Sequence, residues 1–446
     1  MTPRISTPLV PIPAPFDLEE LYKNPPPTFG HEMHKLFGFD PGYVNLNHGS
    51  YGSLPLPVRV ACDMWTTEAE ANPDKFMKFV VLPYQARVRE RVAKLIGADA
   101  DECVMVANTS HGISTVLRNF SFNKGDVLIG ANITYPSVLK MLKYLADTPP
   151  YPTVSILTFE FPTTREAILE AFRKHIRKVK EEYQDQDQNR KFVAVIDTIV
   201  SIPGALLPWK EMVAVCREAG VYSVLDAAHS IGQELNINLS EARPDFWVSN
   251  CHKWLYAKRG CAVLYVPRRN QHIVRSPIAT PDNYRSPQDE DYTGPLEFSR
   301  LFEWTGTIDF VPQLSVDAAL DFREWLGGEH KINEYTRKLA MEGGMHLARR
   351  LGTDLLDPEG NMTLNMVNVG LPLPGEIPST DEVSTLIRDT LLLKWNTYAF
   401  CFRHNEKWWV RCSAQIFNEI SDFHFIADAL KDACEKVKES HARHAT

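Results

Sequence analysis

The stretch Tyr222-Ser223-Val224-Leu225-Asp226-Ala227-Ala228-His229, followed by Asn250-Cys251-His252-Lys253-Trp254, decides how this chain is read. The first run predicts a short buried strand that ends in a carboxylate. The second places a lysine one β-unit later, among Cys251, Trp254 and Leu255, neighbours that predict partial burial. Burial lowers a lysine pKa because desolvation penalises the ammonium, and the free amine is a nucleophile toward carbonyl carbon. Taken singly, Lys253 reads equally as a surface lysine and Asp226 as one of many structural aspartates. Together they put an imine-forming amine and a carboxylate at one end of a sheet.

The rest of the chain is consistent with an ordinary globular enzyme. Its 446 residues exceed the size at which one core stops growing, so at least two lobes are expected. The hydrophobic share of 44% and the charged share of 23% are average. A net charge of −8 with no basic block argues against nucleic acid or an anionic membrane as the main partner. The eight cysteines form no C-x-x-C pair, and the N-terminal run M-T-P-R-I-S-T-P-L-V-P-I-P-A-P-F lacks an apolar signal core. Reduced thiols and a cytoplasmic location are therefore expected. No stretch approaches the ~20 apolar residues of a membrane span, and no metal site is assigned.

Along the chain, the proline-rich start predicts an extended arm over residues 1–45. Leu56 to Gly97 is helical in pattern, with Val88, Val92, Leu95 and Ile96 at three- and four-residue spacing. From Val104, short β-branched runs alternate with amphipathic helices: Val127-Leu128-Ile129, Val154 to Leu157, Phe192 to Ile196, Tyr222 to Leu225. Continuous apolar strands separated by helices predict a mostly parallel sheet covered on both faces, spanning 46–300. Lys178 to Lys191 reads as a helix end and solvated loop, and Pro277 to Pro295 as a surface crossing. Residues 301–446 read as a smaller α+β lobe with strands at Met362–Leu371, Thr397–Phe402 and Trp408–Cys412.

In such a sheet, ligands sit beyond the carboxyl ends of the strands. Asn108-Thr109-Ser110-His111-Gly112 follows one strand and opens a helix, where free N–H groups and the helix dipole favour an anion; it reads equally as a plain helix cap. Tyr135, in T-Y-P-S, is placed to stack on a ring and to donate a proton, or simply to pack. Ser201 lies in the loop after Asp197, and His229 follows Asp226. Upstream, Asn47-His48-Gly49-Ser50-Tyr51-Gly52 reads as a glycine-punctuated loop approaching a ligand. The set matches the needs of pyridoxal 5'-phosphate: an imine-forming lysine, a carboxylate that keeps the pyridine nitrogen protonated, and an anion cradle.

The ordered motifs N-L-N-H-G-S-Y-G, N-T-S-H-G-I, T-Y-P-S-V, D-A-A-H, S-N-C-H-K-W-L, W-T-G-T-I-D and V-R-C-S-A-Q-I-F-N resemble those of class V aminotransferase-like, fold-type I pyridoxal phosphate enzymes, from about Asn45 to Asn418. That resemblance implies Lys253 as the cofactor-linking lysine, Asp226 as the pyridine partner, and His229 and Ser201 near the phenolic oxygen or the substrate. It implies Tyr135 in the ring-stacking place usually held by histidine, and Thr109, Ser110, His111, Ser249 and His252 on the phosphate side. Thr307 matches a residue that reaches the phosphate across a dimer interface, so a homodimer is implied. Ile308 stands where many relatives have arginine, so any role of that arginine is absent. Arg411 matches the α-carboxylate arginine, and Asn47 and His48 are assigned to the substrate.

Desulfurases of the family use a mobile cysteine ahead of the carboxylate arginine. Here Cys401 sits in the apolar run Ala399-Phe400-Cys401-Phe402, where a thiol has a raised pKa and poor access. The pattern most resembles the isopenicillin N epimerase-like branch, which includes the hercynylcysteine sulfoxide lyases of fungal ergothioneine biosynthesis. A carbon–sulfur lyase acting on a small sulfur-containing amino acid is thus expected, with Tyr135 protonating the leaving group. An epimerase, another cysteine-conjugate β-lyase or desulfurase, and a silent scaffold are the alternatives. Trp304, Trp408 and Trp409 are candidates for a cage around a trimethylammonium group, or are packing residues.

Overall fold

The computed structural model describes residues 17–183, 190–290 and 292–444. The helical stretch after Leu56 is two long helices, α1 (Leu56–Ala71) and α2 (Val81–Ile96). They are separated at Asn72-Pro73, because proline cannot continue a helix; the Asn72 side chain instead caps a new turn by accepting from the Lys75 N–H.

Seven strands follow: β1 (Cys103–Val106), β2 (Val127–Ala131), β3 (Thr153–Leu157), β4 (Phe192–Asp197), β5 (Tyr222–Asp226), β6 (Phe246–Asn250) and β7 (Ala262–Tyr265). They form one sheet in the order β3-β2-β4-β5-β6-β7-β1. All neighbours are parallel except β7, which runs antiparallel to β6 and β1. Alternate residues feed opposite faces. Ala194 and Ile196 pack toward α5 (Arg165–Tyr183) and α6 (Trp209–Glu218). Val193 and Val195 pack toward α3 (Thr109–Asn119) and α4 (Pro136–Ala146). Burial on both sides explains why these strands read as unbroken apolar runs.

A second, antiparallel sheet has the order β9-β10-β8, from β8 (Met366–Gly370), β9 (Phe400–His404) and β10 (Lys407–Ser413). Two long helices cover it, α8 (Gly328–Leu351) and α10 (Ile420–His444), with α9 (Asp381–Asp389) alongside; between the lobes lies α7 (Val311–Trp325). The lobes do not divide linearly at residues 45 and 300. Helix α7 packs on α1 and α2 and supplies Val316, Ala319 and Phe322 to the core of the large sheet. Val44 and Asn45 pair with Thr397 and Tyr398 beside the small sheet. Apolar faces on these segments demand burial wherever a partner exists, and the partner lies across the linear boundary.

The proline-rich residues 1–16 lie outside the described residues; the chain begins as a helix, Leu18–Lys23, capped by Asp17. Of the charged stretch before β4, α5 extends to Tyr183, and 184–189 are likewise outside. Among the described residues no helix is long and apolar enough to cross a membrane.

Candidate active site

The carboxyl ends of β1, β2, β4, β5 and β6 converge on one cavity of about 290 Å³, near the small end of ligand pockets, which run from roughly 300 to 1,000 Å³. Lys253, just past β6, projects into it. The lysine segment is clamped by two close backbone approaches. At Gly52, with φ +70, a Cβ would lie 1.8 Å from the His252 carbonyl oxygen; at Gly232, with φ +83, it would lie 2.6 Å from the Trp254 carbonyl carbon. Only glycine fits either place. Burial pulls the Lys253 amine down to about 8, opposed by the Asp226 charge and aided by Arg411.

Asp226 ends β5 and lines the same cavity. Burial pushes its carboxyl up, while the Ala228 N–H, 3.1 Å from Oδ1, and Lys253 favour the anion. Asp197, register partner of Asp226 on β4, also lines the cavity. Its carboxyl is pushed well above the usual range by burial and by the Asp226 charge. Asp197 carries the same sequence signal as Asp226, since A-V-I-D and S-V-L-D end two adjacent strands in the same way.

His229 bridges the lysine and the core. Its Nε2 is 3.1 Å from Lys253 Nζ, and its Nδ1 accepts from the Trp254 indole N–H at 3.2 Å. Burial, then the nearby Lys253, Arg411 and His252 charges, hold the imidazole neutral. His252 lines the cavity, and its Nδ1 donates to the Cys261 carbonyl at 3.0 Å. Burial lowers it to about 4.

The expected anion site is the start of α3. Asn108 caps the helix by accepting from the His111 N–H at 2.9 Å, and the Thr109 N–H donates to Asn250 Oδ1 at 3.0 Å, joining the β1 and β6 ends. The Thr109 hydroxyl is buried without a partner, and Ser110 lies exposed beside it on the cavity. Tyr135 caps α4 and presents a ring 41% exposed to the same space. An orphaned hydroxyl at a helix N-terminus, a low-pKa amine, a buried carboxylate and an open aromatic face fit pyridoxal phosphate. Lys253, Asp226, Thr109 and Ser110 would hold it.

Other expected residues fall elsewhere. Ser249 is fully buried beneath the sheet end, donating to the Ala227 carbonyl and accepting from the Ile231 N–H, so it braces the loops and does not face the cavity. His111 is half-buried and outside the lining. His48 is 1% exposed, packed against Trp254, Tyr256 and Phe417, and bonded through Nε2 to the Lys253 carbonyl at 2.9 Å. It supports the lysine from behind rather than meeting substrate. The run Asn47–Gly52 is not an open loop but a short helix, His48–Tyr51, which turns His48 inward and leaves Ser50 and Tyr51 on the cavity. Thr307 is exposed and outside the cavity of this chain. Trp408 and Trp409 are core residues whose indoles donate to the Ile377 and His404 carbonyls. Trp304 stacks on Phe310 in a separate apolar cluster.

Arg411 lies on β10, one layer behind the cavity. It donates to the Ser201 carbonyl at 2.6 Å and hydroxyl at 3.3 Å, to Ser50 Oγ at 2.9 Å and to Asn47 Oδ1 at 3.3 Å. Its Nε is buried without a partner. With no carboxylate beside it among the described residues, burial lowers the guanidinium to about 10.

Sheet order, strand-end lysine and carboxylate, and helix-borne anion cradle together define a fold-type I pyridoxal phosphate enzyme. The chain belongs to the class-V aminotransferase family, whose description matches residues 81–373. It is 36% identical to the L-cysteine desulfhydrase-like protein lolT1 of Epichloe uncinata, covering 92% of this chain and 96% of that one. It is 31% identical to the hercynylcysteine sulfoxide lyase of Schizosaccharomyces pombe, over 91% and 98% of the two chains. Among solved structures, C-DES with glycine covalently linked to its pyridoxal phosphate matches with TM-score 0.72, 15% identity and coverage of 90% of this chain and 98% of that chain, a likeness of fold.

Proposed function

We propose that this chain is a carbon–sulfur lyase that cleaves hercynylcysteine sulfoxide by β-elimination, releasing pyruvate and ammonia. The observation that carries the reading is a cavity with a buried lysine amine and no thiol: none of the eight cysteines lines it. Cys401 sits within β9, its thiol pushed well up by burial and by the neighbouring Cys434 and Cys412. A persulfide-forming nucleophile is thereby disfavoured, and elimination needs none. Similarity to the Schizosaccharomyces pombe lyase supports the substrate.

When bound, the cofactor supplies an electron sink for the pair released at Cα. Lys253 takes the Cα proton, and Asp226 holds the pyridine nitrogen protonated. His229 and Ser201 would bond the phenolic oxygen side, while Thr109, Ser110 and His252 would serve the phosphate. The Cβ–S bond breaks as the Cα–Cβ double bond forms, and Tyr135 protonates the departing sulfenate. The aminoacrylate product hydrolyses to pyruvate and ammonia, and an external reductant converts the sulfenic acid to the thione. Arg411 offers its fork to the α-carboxylate beside Asn47. In this reading the enzyme is a cytoplasmic homodimer, with Thr307 completing the partner's phosphate site.

A second reading, elimination from cysteine itself, is favoured by the relation to lolT1. Pyruvate release from hercynylcysteine sulfoxide, cysteine and cysteine sulfoxide by the cofactor-loaded protein separates the two. Turnover of the hercynyl conjugate far above the others is expected. Equal or greater turnover of cysteine would establish the second reading, and no pyruvate from any of them would move the assignment to an epimerase.

A further inference from the structure

We propose that Trp254 is a positioning residue: its indole N–H fixes His229 in the tautomer that carries its proton on Nε2, and this favours the uncharged form of the Lys253 amine. The proposal rests on the reading of Lys253 as the imine-forming group.

An indole N–H can only donate. It lies 3.2 Å from His229 Nδ1, so that nitrogen must present a lone pair. A neutral imidazole has one proton, which then resides on Nε2, 3.1 Å from Lys253 Nζ. An ammonium has no lone pair and would set donor against donor. The free amine has one and accepts the Nε2 proton. The imidazolium is no escape, since it would aim an Nδ1 proton at the indole N–H, and burial already disfavours it.

Burial is the largest influence lowering the Lys253 amine; of the surrounding charges, Asp226 on β5 favours the ammonium and Arg411 on β10 opposes it. His252, on the lysine's own segment, is held neutral, and Asp197 on β4 sits one strand beyond Asp226.

Trp254 is built to hold this position. It is 1% exposed and packed against Ile199 and Met366. Its carbonyl accepts from Arg323 Nη1 at 2.7 Å, while Arg323 Nη2 reaches the Gly232 carbonyl at 2.9 Å. Arg323 therefore ties the segment carrying Lys253 to the segment carrying His229, with Glu329 balancing its charge.

The test uses the apoprotein. Carbamylation of Lys253 by cyanate, followed across pH by peptide mass spectrometry, reads the amine directly. Trp254→Phe keeps a ring but lacks the N–H, so His229 can move its proton to Nδ1 and accept from the ammonium. Its midpoint should rise by about one unit, with about tenfold less labelling near neutral pH. In a His229→Gln background, where no tautomer exists, Trp254→Phe should shift nothing. An unmoved midpoint, or the same shift in both backgrounds, overturns the proposal. Should Trp254→Phe fail to fold, nitrogen NMR of ring-labelled histidine in the unsubstituted protein decides; a proton on His229 Nδ1 overturns it. Borohydride trapping of added pyridoxal phosphate tests the underlying reading separately. A label absent from Lys253 would sink that reading while leaving the tautomer measurement intact.

Discussion

Asp197 and Asp226 are register partners at the carboxyl ends of adjacent parallel strands, and both line the candidate cavity. Two buried carboxyls so placed cannot both ionise without a large penalty. The Ala228 N–H and Lys253 favour the anion at Asp226, so Asp197 holds the proton. Asp197→Asn should therefore keep cofactor binding, whereas Asp226→Asn should abolish turnover and weaken cofactor retention. A carboxyl raised in the folded state binds protons that the unfolded chain has released, so its penalty grows as pH rises above the unfolded value and persists at neutral pH. Asp197→Asn should accordingly stabilise the apoprotein near neutrality, with the gain shrinking in acid. Denaturant melts at several pH values check this, and a destabilised variant at neutral pH would contradict the assignment.

Cofactor attachment should follow the free amine. With Lys253 lowered to about 8, the rate of imine formation in the apoprotein should climb as pH rises through that value and level off above it. Stopped-flow absorbance of added pyridoxal phosphate measures the profile. A profile still climbing near pH 10 would mean an ordinary surface-like lysine.

Arg411→Lys should raise KM for the amino-acid substrate by roughly ten- to a hundredfold with a smaller effect on kcat, because a point charge cannot reproduce the planar fork. Steady-state pyruvate assays separate the two constants. An unchanged KM would remove Arg411 from carboxylate binding.

Gly52→Ala should be severe, since its Cβ would strike the His252 carbonyl at 1.8 Å. A loss of about 3 kcal/mol or more is expected from the collision together with backbone strain. Gly220, with φ +64, has nothing within 4 Å of an added Cβ. Gly220→Ala should cost only the conformational term, about 1–2 kcal/mol. Urea unfolding of the pair compares them, and equal losses would show that the lysine segment moves freely away from Gly52.

Tyr135→Phe should bind cofactor normally and lose at least about a hundredfold in elimination, the usual range for a removed general acid. Full turnover in the variant would leave the ring with stacking alone.

Much of this was readable along the chain. The apolar runs before Asp226 and around Phe192–Ile196 announced buried parallel strands, and the N-T-S-H-G run announced the start of a helix. Lys253 was recognisable by its buried-looking neighbours. Side-chain direction was not readable. His48 and Ser249 belong to matching motifs, yet one turns into an aromatic cluster behind the lysine and the other braces two loops. Trp408 and Trp409 lie just ahead of the expected carboxylate arginine, yet Trp408 is consumed by the core of the small sheet and Trp409 by the core that the large sheet shares.

The linear pattern by itself determined the strands and the polar residues at their ends, because hydrophobic period and strand-end polarity are local properties. Only the tertiary structure decided that Asp197 pairs with Asp226, that Trp254 reaches His229, and that Arg411 meets Ser201 and Ser50. Each of those relations joins segments through strand register or across the two lobes. Register and interlobe packing are set by burial summed over the whole core, a quantity no short stretch of sequence contains.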